Sequence, residues 1–110
     1  MEECLFCKIA AGEIPANKLY EDEQVLAFYD IHPQAKVHFL VIPKRHIASA
    51  AALTEGDAAL LGHIFAVIAQ LAQQTGLENG YRVVSYVGPD AGQTVPHLHF
   101  HVLGGEVLPV

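Results

Sequence analysis

Positive charge is scarce in this sequence, and so is charge of any kind. Six Lys and Arg stand against twelve Asp and Glu, a formal net charge of −6 with histidine neutral. That balance speaks against a nucleic-acid backbone or an acidic membrane surface as the main partner. Charged residues are 16% of the chain, against about 25% in an ordinary soluble domain. Some surface is therefore expected to be covered by another subunit, although an alanine-rich chain gives the same figure. Runs of ~18 consecutive apolar residues, the length of a membrane span, are absent. The start Met1-Glu2-Glu3-Cys4 puts no basic stretch ahead of an apolar one, so no secretory signal is expected, and the cytoplasm is the expected compartment. Cysteine is limited to Cys4 and Cys7, and in a reducing compartment a structural disulfide is not expected. Histidine is the exception, with seven in 110 residues.

A chain of this length is expected to be one domain, residues 1–110, burying roughly 60–70% of the surface its unfolded form exposes. It has no repeats, low-complexity tract or internal linker. Leu5 to Ala11 reads as a short helix ended by Gly12, with Pro15 preventing extension. Leu19–Tyr20 and Val25 to Tyr29 read as strands around the turn Glu21-Asp22-Glu23-Gln24, and Val37 to Ile42 as a third strand closed by Pro43. Thr54 and Asp57 form a capping-box pattern. It opens a long helix with Leu60, Ile64, Val67, Ile68 and Leu71 on one face, stopped near Gly76. Tyr81 to Val87 and His97 to Leu103 read as the last strands, joined by the loop Gly88 to Thr94. The order predicts an α+β fold: an antiparallel sheet of about five strands, one long helix packed on one face, and a short N-terminal helix.

The final strand carries the chemistry. His97-Leu98-His99-Phe100-His101-Val102-Leu103 alternates imidazole and hydrophobe. Strand side chains alternate faces, so Leu98, Phe100 and Val102 are expected in the core and the three histidines together opposite, ~7 Å apart. Two chemistries suit such a row: a metal centre, or nucleophilic catalysis by a neutral imidazole flanked by imidazole donors. Cys4-x-x-Cys7 by itself admits three readings: a redox pair, half of a zinc site that needs two further ligands, or two unrelated thiols.

His97 to Leu103 matches the His-φ-His-φ-His-φ-φ signature and resembles the histidine triad family of nucleotide hydrolases and transferases. Leu5-Phe6-Cys7-Lys8-Ile9, Glu13-Ile14-Pro15-Ala16, Ala27-Phe28-Tyr29-Asp30-Ile31, His38-Phe39-Leu40-Val41-Ile42-Pro43-Lys44 and Gly104-Gly105 are similar to the Hint branch. The loop Gly88-Pro89-Asp90-Ala91-Gly92-Gln93-Thr94-Val95 looks more like the fragile-histidine-triad branch, which cleaves dinucleoside polyphosphates. Departures from the Hint pattern are Tyr86 for the usual Asn, Tyr29 for a frequent His, Thr94 for the usual Ser, and a short tail, Glu106 to Val110, without the branch's Trp-containing end.

The resemblance implies hydrolysis at the α-phosphate of purine nucleotides such as phosphoramidates and aminoacyl-adenylates. His99 would attack to form a nucleotidyl-histidine, His101 would donate to a phosphate oxygen, and His38 would support the imidazole network. Asp30 would accept from the ribose, and Phe6, Phe28 and Ile31 would line the base pocket. Gly92, Gln93 and Thr94 would form a phosphate nest, with the Gln93 amide and the Thr94 hydroxyl addressing the phosphate and leaving group. Some prokaryotic-type members carry a Cys-x-x-Cys completed by a His after a Pro-Lys-x segment and by the first triad His. That implies one structural zinc on Cys4, Cys7, His46 and His97. The branch also implies a homodimer that joins two sheets into one through the long helix and an edge strand, with Ala58, Ala59, Ala66 and Ala69 either at that contact or facing the chain's own sheet. A metallohydrolase with the three triad histidines on one zinc and a catalytically idle adaptor are the competing classes.

Overall fold

The computed structural model describes residues 4–110. Five strands form one antiparallel sheet: β1 (Lys18–Glu21), β2 (Val25–Tyr29), β3 (Val37–Pro43), β4 (Tyr81–Val84) and β5 (Phe100–Gly104), in the spatial order β1-β2-β3-β5-β4. The sheet is flanked by a short helix, α1 (Leu5–Ala10), and a long one, α2 (Ala58–Gln74). Within the chain, the predicted five-stranded antiparallel sheet, long helix and short N-terminal helix are present.

Alternation along the strands assigns each face its cover. Val25 and Ala27 of β2, Phe39 and Val41 of β3, and Phe100 and Val102 of β5 pack with Ile64, Val67, Ile68 and Leu71 of α2. The intervening Leu26, Phe28, Leu40 and Ile42 form a second cluster with Phe6 and Ile9 of α1. β2 and β3 are thus covered on both sides, which explains their unbroken apolar runs. By length and composition residues 55–74 resemble a membrane span, but here their apolar stripe is packed against the sheet. Ala58, Ala59, Ala66 and Ala69 lie on the opposite, exposed side of α2, so they do not face the chain's own sheet.

The capping pattern belongs to a 3₁₀ turn, Glu55–Asp57, that leads into α2: Thr54 Oγ1 accepts from Gly56 N–H at 3.2 Å, and Thr54 N–H donates to Asp57 Oδ2 at 2.9 Å. Within the turn between β1 and β2, Asp22 accepts from the N–H groups of Gln24 and Val25, from Tyr20 Oη–H and from His63 of α2. Gly104 allows the close approach of the chain after α2: a Cβ there would lie 2.9 Å from Leu77 Cδ2 and 3.2 Å from the Gly80 carbonyl.

Most strand ends fall within one residue of expectation, and two differ by more. β5 starts at Phe100, not His97, and β4 ends at Val84, not Val87. Residues 97–99 leave the ladder because their groups bond elsewhere. Leu98 N–H donates to Ile47 O at 2.6 Å, and the His99 carbonyl accepts from Ser85 Oγ–H at 2.8 Å. The inward placement of Leu98, Phe100 and Val102 holds regardless.

Candidate functional site

His99 and His101 open onto a cavity of about 510 Å³ at the end of β5. α1, the ends of β2 and β3, and the loop before β5 enclose it, with Phe6, Phe28, Asp30, Ile31, Tyr86, Gly92 and Thr94 among its walls. Phe6 and Phe28 meet edge to face at 5.7 Å, and Phe6 meets the His99 ring at 5.0 Å. Ile31 stands at the rim, 86% exposed. His38 sits behind the cavity wall, buried on β3.

Hydrogen-bond partners assign the tautomer of each imidazole. His99 Nδ1 lies 2.6 Å from the His97 carbonyl, which can only accept. Nδ1 therefore carries the proton, and Nε2 keeps its lone pair. His38 Nδ1 accepts from Gln34 N–H at 3.1 Å, so His38 carries its proton on Nε2, 3.0 Å from His101 Nδ1. His101 must accept there, which leaves its own proton on Nε2. A backbone N–H thus sets two rings in series, and the site presents one imidazole lone pair beside one imidazole N–H. The two rings, His99 and His101, are 5.2 Å apart between centroids.

Burial, reinforced by the neighbouring His99 and His38 rings and opposed by Asp30, lowers His101 to about 4. Burial likewise lowers His38 against the pull of Asp30. Both are neutral near pH 7, as the relay requires. Asp30 Oδ2 is 3.5 Å from His38 Nε2, while Oδ1 accepts from His32 N–H at 2.7 Å. Asp30, His38 and His101 are close enough to hold a cation. The Gln34 donor, however, keeps the lone pair of His38 on Nδ1, turned away from that point, which favours the relay.

A second cluster lies directly behind the first. Sγ of Cys4 and Cys7 and ring nitrogens of His46 and His97 all fall within 4.8 Å of one another. Cys4 Sγ is 3.2 Å from His97 Nδ1, and Cys7 Sγ is 3.3 Å from His46 Nδ1 and 3.5 Å from His97 Nδ1. Metal bonds of ~2.3 Å to sulfur and ~2.0 Å to nitrogen give S···N edges of ~3.5 Å in a tetrahedron, so the four donors fit one ion. His97 Nε2–H donates to the Pro43 carbonyl at 2.8 Å, which leaves the Nδ1 lone pair turned to the thiols. Burial, followed by the adjacent Cys4 thiol, pushes Cys7 up to about 11; a bound cation opposes that shift. His97 serves this cluster and His101 serves His38, so the three triad histidines do not converge on one metal.

A family model for the HIT domain matches residues 11–108. The chain belongs to the HIT family. It is 51% identical to a HIT-like protein of Synechococcus elongatus over 107 residues, 97% of this chain and 94% of that one. Among solved structures, a HIT family hydrolase from Legionella pneumophila is 50% identical with a TM-score of 0.95, covering 97% of this chain and 96% of that chain. A histidine triad protein from Clostridium difficile is 45% identical with a TM-score of 0.96, covering 100% and 96%. The histidine cluster is thus that of HIT-family nucleotidyl-transfer and hydrolase chemistry.

Most residues singled out in the sequence as a HIT site come together here, but the phosphate nest is narrower than expected. The Gln93 amide donates to the Ala48 and Val95 carbonyls and accepts from Gly88 N–H, so it braces the loop and does not line the cavity. The N–H groups of Gly92 and Gln93 go to the Pro89 and Gly88 carbonyls. Gly92, at φ +89°, supplies the turn, and Thr94 alone of the three offers its polar side chain to the cavity wall. Two participants were missed. Gln34 acts through its backbone, which side-chain identity does not disclose. Tyr86, visible only as a departure from the family pattern, stands 5.5 Å from the His101 ring.

Proposed function

We propose that this HIT protein belongs to the Hint branch and hydrolyses purine nucleotides at the α-phosphate, with phosphoramidates and aminoacyl-adenylates as the substrate class. The observation that carries this is the hydrogen bonding of two rings at the cavity, His99 Nδ1 to the His97 carbonyl and His101 Nδ1 to His38 Nε2, from which a lone pair on His99 Nε2 next to a proton on His101 Nε2 follows. In the first step His99 Nε2 bonds to phosphorus. In a phosphoramidate the P–N bond to the leaving amine breaks, and the amine departs with the electron pair and takes a proton from solvent; in an aminoacyl-adenylate the P–O bond breaks and the carboxylate departs with the pair. His101 Nε2–H stabilises the charge on a non-bridging oxygen. In the second step water cleaves the new P–N bond, releasing the nucleoside monophosphate and restoring the imidazole.

Asp30 accepts from the ribose through the capacity that His32 leaves free, Phe6, Phe28 and Ile31 hold the base, and Gly92 with Thr94 flanks the phosphate. Zinc would be held by Cys4, Cys7, His46 and His97 and would tie the N-terminal segment to the residues that lead into β5. The closed four-donor set supports a structural role. A homodimer forms through α2 and the edge strand β4. The exposed Phe65 and the four exposed alanines of α2, together with the exposed Tyr81 of β4, support that contact. The cytoplasm is the proposed compartment.

Cleavage of dinucleoside polyphosphates is the second reading. The aromatic Tyr86 beside His101 favours it, because an aromatic face on the leaving-group side suits a second base. Comparing adenosine phosphoramidate with diadenosine polyphosphates, in wild type and His99→Ala, decides between them. Preferential release of AMP from the phosphoramidate, abolished in the variant, is expected. Preference for the polyphosphate would select the second reading, and near-wild-type turnover by His99→Ala would remove both.

A further inference from the structure

We propose that the Cys4–Cys7–His46–His97 cluster is a positioning device for His99, in addition to clamping the N-terminal segment. This rests on the nucleophilic role given to His99 above. Two routes lead from the cluster to the same ring. The first passes through His97. Its Nδ1 is among the thiols and its Nε2–H is on the Pro43 carbonyl, so both ring nitrogens are engaged. A fixed ring fixes the adjoining backbone, and the carbonyl of that same residue accepts the His99 Nδ1 proton at 2.6 Å. The second passes through α1. Cys4 Sγ accepts from Cys7 N–H at 3.3 Å as the N-cap of this helix. Two residues on, Phe6 sets its ring edge-on to His99 at 5.0 Å and to His97 at 6.0 Å. One route holds the proton on Nδ1, and the other holds the plane of the ring.

The arrangement has a definite weak point. α1 is six residues long, too short to be stable without tertiary support, and residues 97–99 lie outside the sheet ladder. Neither of these two segments is held by strand pairing; of the rings around His99, His101 alone sits on a paired strand. With the cluster intact, His99 has one tautomer and one orientation. With it broken, the His97 carbonyl and the Phe6 ring move independently, and the Nε2 lone pair is aligned with phosphorus only part of the time. Misplacement of a nucleophile by about 1 Å can cost up to about 100-fold in rate, and loss of partners outside a metal's ligand shell costs 10- to 100-fold.

The test uses Cys7→Ala, which removes one donor and keeps the Cys4 cap and Phe6, and Phe6→Leu, which keeps apolar bulk and the whole cluster. Zinc stoichiometry is measured for each. Ring ¹⁵N spectra of His99 are recorded for wild type as prepared, after chelation, and after zinc is restored. Single-turnover transfer from adenosine phosphoramidate is then followed. Wild type should show His99 with Nδ1 protonated and Nε2 bare. Chelation and Cys7→Ala should mix the tautomers, and restored zinc should reverse the change in wild type only. The transfer rate should fall 10- to 100-fold in Cys7→Ala, with nucleotide affinity changed less than about threefold, and about 10-fold in Phe6→Leu, where the altered base pocket also weakens nucleotide affinity. A folded Cys7→Ala protein with the wild-type His99 spectrum and transfer rate would overturn the proposal and leave the cluster a clamp only. If wild type transfers no nucleotidyl group at all, the proposed function fails, while the ¹⁵N comparison still decides whether the cluster governs His99.

Discussion

Replacing His38 with phenylalanine is expected to disable the site without emptying it. The imidazole is 3% exposed and makes two contacts that a phenyl ring cannot: it accepts from Gln34 N–H and donates to His101 Nδ1. Each orphaned group costs about 1–3 kcal/mol when buried. The phenyl ring recovers apolar burial, so the net destabilisation should be about 1–3 kcal/mol in urea denaturation. The functional consequence is larger. Without its donor, His101 Nδ1 is left beside Asp30, whose carboxylate is within 4.8 Å and can only accept. The His101 proton moves to Nδ1, and Nε2 turns a lone pair toward the phosphate. Losing one preorganised donor to a charged oxygen costs about 10²- to 10³-fold in kcat. That loss is expected for phosphoramidate hydrolysis, with KM changed only a few-fold. His38→Gln can still donate an amide N–H and should recover part of the loss. A folded His38→Phe protein within threefold of wild-type kcat would refute the relay.

Three further outcomes follow from the same structure. Gly104→Ala places a methyl 2.9 Å from Leu77 Cδ2 and 3.2 Å from the Gly80 carbonyl, an overpacking expected to cost about 1–3 kcal/mol in urea denaturation; unchanged stability would contradict the close approach. Acidification should destabilise the fold in two stages. His101 resists protonation that the unfolded chain accepts, so its contribution is full above about pH 6.5, declines as pH falls, and levels off below about 4. With an allowance for solvent on its cavity side, this amounts to about 1–2 kcal/mol, read as the difference in pH slope between wild type and His101→Gln; identical slopes would exclude it. Asp22, despite the opposing effect of burial, is held well below the usual carboxylate range by Tyr20, Gln24, His63 and Val25. It adds stability above about pH 4 that is lost on further acidification. Sedimentation at micromolar concentration should give the mass of two chains, and a mass of one chain would remove the dimer.

The parts of this molecule legible in the sequence are those governed by local periodicity. Leu98, Phe100 and Val102 announce one face of a strand, and Ile64, Val67, Ile68 and Leu71 one face of a helix; the two sets meet in one core. The capping pattern at Thr54 and Asp57 likewise appears where the spacing puts it. The misreadings come from tertiary hydrogen bonds. His97 to His99 continue the alternation of a strand, yet Ile47 and Ser85 take the bonds a neighbouring strand would have made. Gln93 has the chemistry of a phosphate ligand, but its amide is taken up by Gly88 and Val95 of its own loop and by the distant Ala48 carbonyl. The link from Gln34 through His38 to His101 depends on a backbone N–H, which nearly every residue type supplies. The residue types of the site were therefore readable, and its proton positions were not.

The central claim is that His99 Nε2 is the atom that takes the nucleotidyl group. The most direct measurement is mass spectrometry of protein quenched during turnover of adenosine phosphoramidate, with the modified residue located by peptide fragmentation. One AMP per chain on His99, absent in His99→Ala and lost on standing as free AMP appears, is the predicted result. Turnover with no adduct at any quench time, or an adduct on another residue, would contradict the account.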